Sequence, residues 1–156
     1  MSALIPPIPA ARMGAAPLRR WLAVSLLAGT CGIAQVHAAD LTVQVEGARS
    51  ATGMVLVALY DAADAFLQPG RHAGARMMPA KVSGTTVVFK DLPPGRYALT
   101  AFHDENANTK LDRNLVGTPT EAVGFSNNVM GSGAAPSFEQ AAVVLKADTA
   151  ITIRIH

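Results

Sequence analysis

Residues 91–128 read DLPPGRYALTAFHDENANTKLDRNLVGTPTEAVGFSNN, and part-way along this stretch a strand gives way to a loop crowded with carboxylates and amides. Pro93, Pro94 and Gly95 form a turn, because proline presets φ and glycine accepts backbone angles that a Cβ forbids. Tyr97 to His103 then alternates Tyr97, Leu99 and Ala101 on one face with Ala98, Thr100 and Phe102 on the other. Both faces are mostly apolar, which predicts an interior strand. From Asp104 onward the side chains offer oxygens at alternate positions: Asp104, Asn106, Asn108 and, after Lys110, Asp112.

That spacing suits a hard cation. Calcium loops take side-chain oxygens from positions 1, 3, 5 and 9 and a backbone carbonyl from position 7. Asp104, Asn106, Asn108 and Asp112 fill the first set, and Lys110 supplies the carbonyl. The loop is not an EF-hand, since Thr109 stands where a sharply turning glycine is usual and Leu115 where a bidentate glutamate is usual. Glu105 or Glu121 is available as a further carboxylate. The competing reading is an Asx-rich surface turn whose side chains bond their own backbone.

Working outward, the 156 residues are half apolar, enough for one domain with a real core and no crosslinks. The formal charge of +2 is misleading until it is located. Arg12, Arg19 and Arg20 lie in the first twenty residues; from Ala39 onward four lysines and six arginines face eleven acids, a net of −1. No basic cluster supports a nucleic-acid partner. Residues 1–38 read as a signal peptide: a basic region ending at Arg19-Arg20, an apolar run from Trp21 to Ala34, and the small-residue site Val36-His37-Ala38. Cleavage after Ala38 or Ala39 delivers residues 39–156 to the periplasm or the exterior, with no integral membrane segment left in the mature chain. Cys31 is the only cysteine, so the mature chain holds neither a disulfide framework nor a thiol nucleophile.

The mature chain predicts seven short strands. Leu41 to Glu46 alternates as a half-exposed strand, and Met54 to Tyr60 is apolar on both faces. Asp61 is placed to cap a helical turn through Phe66. Arg76 to Val82 contains Pro79, which argues for a sheet edge. Thr86 to Lys90 leads into the Pro-Pro-Gly turn and the Tyr97 strand. Leu115 to Ser137 has no sustained period and reads as a long ordered excursion. Phe138 to Leu145 and Ala150 to Ile155 complete the set as a closing hairpin. Short alternating segments with frequent turn signals and almost no helix predict an all-β sandwich.

The phrases DLPPGRYALTAFHDEN (91–106), KLD (110–112), GTPTEAVGFSNN (117–128) and PSFEQAAVVL (136–145) resemble the bacterial exported domain-of-unknown-function family 2141. The likeness covers the chain from Asp40 to the C-terminus and implies a small exported β domain, often with glycines in the loop where this chain has Ala107 and Thr109. More distantly, the phrase FKDLPPGRY (89–97) is similar to transthyretin-like and carboxypeptidase-regulatory sandwiches, which implies a seven-stranded, immunoglobulin-like or transthyretin-like fold.

The function predicted is a binding or structural module with a calcium-type loop, its ligand or protein partner unidentified, rather than an enzyme. Two alternatives remain. A metal-dependent enzyme would use the acidic loop as its metal site, with His103, Asp104 and Glu105 as the raw material for a general acid or base, although no H-E-x-x-H or G-x-S-x-G pattern occurs; the plainer reading of His103 is a hydrogen-bonded or solvated residue at a strand end. A periplasmic copper protein would draw on Met54, Met77, Met78, Met130, His72 and His103, but Met77 and Met78 point to opposite faces of one strand. Ser126, Asn127 and Asn128 bond across to the acidic loop, or present a ligand surface, or form a turn whose amides satisfy local backbone.

Overall fold

The computed structural model describes residues 37–130 and 134–156; apart from His37 and Ala38, the predicted signal peptide lies outside them. The strands are β1 (Ala39–Glu46), β2 (Met54–Tyr60), β3 (Gly74–Pro79), β4 (Thr85–Leu92), β5 (Gly95–Asp104), β6 (Val123–Phe125), β7 (Val143–Leu145) and β8 (Thr149–Arg154). Among the described residues one α-helical turn, α1 (Phe138–Ala141), and a single 3-10 turn at Ser126–Asn128 interrupt them. The strands form two sheets, one ordered β4-β1-β8 and the other β3-β2-β5-β6, with β7 also paired to β5. The fold is thus all-β, with eight strands rather than seven among the described residues.

Alternation explains which faces are buried. Leu41, Val43 and Val45 of β1 meet Val55, Val57 and Leu59 of β2 and Tyr97, Leu99 and Ala101 of β5 in a core shared by both sheets. β2 and β5 are apolar on both sides because their outer face is also covered in part. There Tyr60, Ala65, Phe66, Ala98, Phe138 and Ala141 make a second, smaller cluster, in which Phe66 stacks edge-on with Tyr60 at 5.4 Å and Phe138 at 6.0 Å. β3 sits at the edge of its sheet, where the missing N–H of Pro79 does no harm.

Three expectations are corrected. Phe138 to Leu145 is not one strand: Ser137 accepts from the Gln140 N–H while the Gln140 side chain accepts from the Ser137 N–H, and this capping box starts α1. Only Val143–Leu145 remains extended. β7 and β8 do not form a hairpin either, because β7 lies antiparallel to the start of β5 and β8 crosses over to run parallel to β1. The segment after Asp61 turns through Ala62–Ala65 and Ala63–Phe66 backbone bonds without becoming a helix.

Along the edge of β5, β7 covers Gly95–Tyr97 and β6 covers Thr100–Phe102. Between them Leu99 N–H would be orphaned, and the buried Ser126 hydroxyl accepts it at 2.9 Å. The end of the chain closes the same side: Ile155 N–H donates to Glu46, and Val123 and His156 exchange both backbone bonds. A Cβ on Gly124 would stand 2.2 Å from the Arg154 carbonyl oxygen, so only glycine admits this approach.

Candidate functional site: the acidic loop and its neighbouring groove

The inward register of β5 carries past Ala101 to His103, which is wholly buried. Its Nε2 lies 2.7 Å from the Thr52 carbonyl oxygen, and its Nδ1 faces Glu105 Oε1 at 3.9 Å with no closer partner among the described residues. Asp104 follows on the other face and is just as buried, because the loop folds back over it. Its Oδ1 accepts the Asn108 N–H at 3.0 Å and its Oδ2 the Thr109 N–H at 2.7 Å. Glu121, also buried, bridges the two ends of the loop by accepting the N–H of Glu105 at 3.1 Å and of Asp112 at 3.0 Å.

Of the residues predicted from their spacing, Asn106, Asn108 and Asp112 meet through their side chains, whereas Asp104 gives both oxygens to backbone N–H groups and the Lys110 carbonyl is not part of the cluster. Asp112 accepts from the side-chain amide of Asn106 at 2.6 Å and of Asn108 at 3.0 and 3.1 Å. The Asn106 oxygen in turn accepts the Asn108 N–H, and the Asn108 oxygen accepts the Lys110 N–H. Lys110 thus contributes a donor to the network. In this geometry N–H groups offset the carboxylate charge, each an ionic hydrogen bond stronger than a neutral one.

Order in the loop comes at some strain. Ala107 and Thr109 have φ of 58° and 64°, a region that suits glycine and is a true outlier for a β-branched residue. Thr109→Gly is expected to stabilise residues 39–156 by about 1 kcal/mol, the relieved steric cost exceeding glycine's added chain entropy. Urea titration of the two forms checks the sign.

Beyond Asp112 the excursion is ordered as an arm. Arg113 bridges Pro119 across it, and the Asp112 and Thr118 carbonyls accept the N–H groups of Thr120 and Asn114. The Asn114 side chain caps the bend by accepting from Val116 and Thr118, while Gly117 supplies φ +82°. Leu115 and Val116 stand at the tip, 107% and 83% exposed. Turn tips normally carry polar residues.

The arm overhangs the part of the outer sheet face that the second cluster leaves open. Between them runs a groove of about 660 Å³, with Thr100, Phe102, Val123 and Phe125 as its floor and Leu111, Arg113, Val116 and Pro119 among its wall residues. Tyr60 lines the far side, and burial holds its phenol above the ordinary value, hence neutral.

The amides that follow β6 neither reach the acidic loop nor serve only their own turn. Asn127 donates to the Gln140 and Ala142 carbonyls. Asn128 donates to the Thr152 carbonyl and accepts the Arg154 N–H, as a neighbouring strand would. Ser126 donates to the Ala141 carbonyl at 2.5 Å. These three side chains fasten β5, α1 and β8 together.

Comparison with known families bears on this whole assembly. Residues 43–153 match the family described as "Uncharacterized protein conserved in bacteria (DUF2141)". The chain belongs to this family. The match runs from Val43 in β1 to Ile153 in β8 and takes in the acidic loop, the arm and the Ser126–Asn128 turn. Neither the curated proteins nor the solved structures gave a match, so the wider likeness to transthyretin-like domains rests on the phrase at 89–97 alone.

Within this DUF2141 chain, sequence reasoning left two residues of the site without a role. Glu121 was available as a carboxylate but had no position, because its partners lie nine and sixteen residues away. Arg113 went unremarked, and no local pattern tells which face of an arm looks back over a sheet.

Proposed function

We propose that residues 39–156 form an exported β-sandwich module that binds a small ligand in the groove, with the acidic loop as the clamp that holds the groove's wall in place. One observation carries this reading: Asp112 closes the acidic loop through Asn106 and Asn108, and it is also the first residue of the arm that overhangs the groove. A rigid clamp beside an open, largely apolar groove of ligand size is the arrangement a binding site requires. Conversion would need a nucleophile or base facing the ligand. The described lining residues are apolar or hydroxyl-bearing, apart from Arg113.

The sandwich is supported by the core that the two sheets share. The Tyr97 hydroxyl also donates to the Pro93 carbonyl at 2.7 Å, a corner common in immunoglobulin-like sandwiches. Export is supported by the basic region ending at Arg19-Arg20, the apolar run from Trp21 to Ala34 and the small-residue site Val36-His37-Ala38, after which β1 begins at Ala39. Cleavage after Ala38 leaves that strand whole and delivers the module to the periplasm or the exterior. Native mass spectrometry of protein recovered from the exported fraction tests the reading. The expected result is a chain starting at Ala39 that carries an added mass, and a Phe102→Asp chain that does not. A chain still bearing residues 1–38, or an added mass indifferent to Phe102→Asp, overturns the corresponding half.

Calcium is the cation the clamp suits. To take it, the Asn106 and Asn108 amides turn over so that oxygens face Asp112, and the Lys110 carbonyl joins them. Two side-chain-to-backbone bonds are given up in doing so, at about 1 kcal/mol each, which keeps the affinity modest, on the order of 10⁻⁴ to 10⁻³ M. Magnesium demands a near-ideal octahedron and fits less well. Millimolar calcium is expected to stabilise the mature chain by about 1 to 2 kcal/mol through preferential binding to the native state. Thermal melts with calcium, magnesium and chelator provide the check; a midpoint indifferent to all three leaves the loop's own hydrogen bonds as its only source of order.

A further inference from the structure

The groove's chemistry narrows what it can hold, on the reading that it is the ligand-taking face. Its floor offers no free main-chain groups: Thr100 to Phe102 pair with β6 on one side and β2 on the other. Its wall offers few more. Gly117 N–H donates to the Asn114 carbonyl, the Gly117 carbonyl accepts from Arg113 at 2.8 Å, and both backbone groups of Thr118 are bonded to Asn114. The edge of β6 is also closed, since Val123 exchanges backbone bonds with His156. A peptide bound in extended form needs such groups to satisfy its own amides. An alkyl chain needs none.

Charge gives the other half. Arg113 is the single charged residue among the described residues that line the groove, and no carboxylate lines it. Arg113 donates through one Nη to the Gly117 carbonyl and makes no ion pair among the described residues. The rest of its planar fork is therefore available, and that fork matches a carboxylate in two parallel hydrogen bonds. Leu115 and Val116, held out at the rim by the Asn114 turn, extend the apolar surface beyond the groove itself.

We propose that the groove binds a single-chain fatty carboxylate, its alkyl chain along Phe102, Val123 and Phe125 and its head group on Arg113. The volume of about 660 Å³ lies within the usual range of small-ligand sites. The source is a free fatty acid, not a bilayer: a floor recessed beneath the arm can take one chain, whereas a membrane surface meets only the tip.

Calorimetric titration of the mature chain with dodecanoate and with dodecyltrimethylammonium, below their micelle concentrations, tests this. The two share a chain and differ in the sign of the head. Saturable one-to-one binding of dodecanoate is expected, with the cationic analogue at least about tenfold weaker, equivalent to roughly 1.4 kcal/mol. Arg113→Gln is expected to remove that preference while circular dichroism stays unchanged. Val116→Asp, which adds to the wall a charge of the same sign as the carboxylate head and leaves Arg113 in the chain, is expected to weaken dodecanoate and spare the cation. Equal binding of the two heads, or a preference that survives Arg113→Gln, overturns the proposal. So does co-sedimentation with anionic phospholipid vesicles without binding of free dodecanoate. If dodecanoate does not bind while the native chain still carries a mass that Phe102→Asp removes, the ligand class is wrong and the groove reading stands; if that mass is missing too, both fall.

Discussion

Gly53→Ala is expected to lower the unfolding free energy of residues 39–156 by about 3 kcal/mol or more, through two separate costs. Gly53 has φ +76°, where an L side chain costs roughly 1–2 kcal/mol. Its Cβ would also stand 2.1 Å from the Asp104 carbonyl oxygen and 2.8 Å from the Glu105 Cα. Those are backbone atoms at the root of the acidic loop, so relief requires moving the loop, and overpacking of this kind adds roughly 1–3 kcal/mol. Gly70→Ala separates the two terms. Gly70 has a similar φ of +73° with nothing within 4 Å, so it carries the backbone cost alone, about 1 kcal/mol. Urea unfolding of both variants decides the matter. If Gly53→Ala costs no more than Gly70→Ala, the close approach of β2 to the loop is not what the glycine serves.

Asp104→Ala is expected to cost about 3 kcal/mol and to disorder the arm. The carboxylate takes two backbone N–H groups, those of Asn108 and Thr109, at a fully buried position. Hydrogen bonds to a charged group contribute roughly 1.5–3 kcal/mol each, and alanine leaves both donors without a partner. Water that reaches the opened loop offsets part of the loss, which holds the net near the lower end of the sum. Asp104→Asn retains one acceptor and is expected to fall between alanine and wild type. The consequence should extend beyond stability, because the loop ends at Asp112 and the arm begins there. Amide hydrogen exchange is expected to rise at the N–H groups of Asn108, Thr109, Asn114 and Thr118. Exchange confined to Asn108 and Thr109 would show that the clamp and the arm are independent.

Much of this architecture can be read along the chain because its causes are local. The alternation of Leu41, Val43 and Val45 marks one buried face of β1, and the apolar runs of β2 and β5 announce strands covered on both sides. Pro79 announces an edge, and Pro93-Pro94-Gly95 a turn. Part of the loop's grouping is legible as well, since Asn106, Asn108 and Asp112 lie within one tight loop and do meet, although Asp104 turns to backbone N–H groups instead. The capping box at Ser137 and Gln140 is equally local, yet it sits within a stretch whose end, Val143 to Leu145, is extended and masks it.

What the sequence could not supply is which distant segments pair and what lies beneath them. β6 is three residues long, too short for any period to show. That β8 joins β1 in parallel rather than turning back on β7 pairs segments from opposite ends of the described residues, which no local pattern encodes. From its neighbours Ser126 reads as a residue of the acidic loop's surroundings or of its own turn; that it fills the gap between β6 and β7 on β5 follows only from those strands stopping short of one another. The same holds for the groove: Phe102 sits in β5, Val123 in β6 and Arg113 on the arm, and nothing in their spacing relates them. Periodicity records which face of a segment is dry, a property each residue shares with its near neighbours. Pairing and concavity are properties of surfaces that meet only after the chain has folded, and tertiary packing alone determines them.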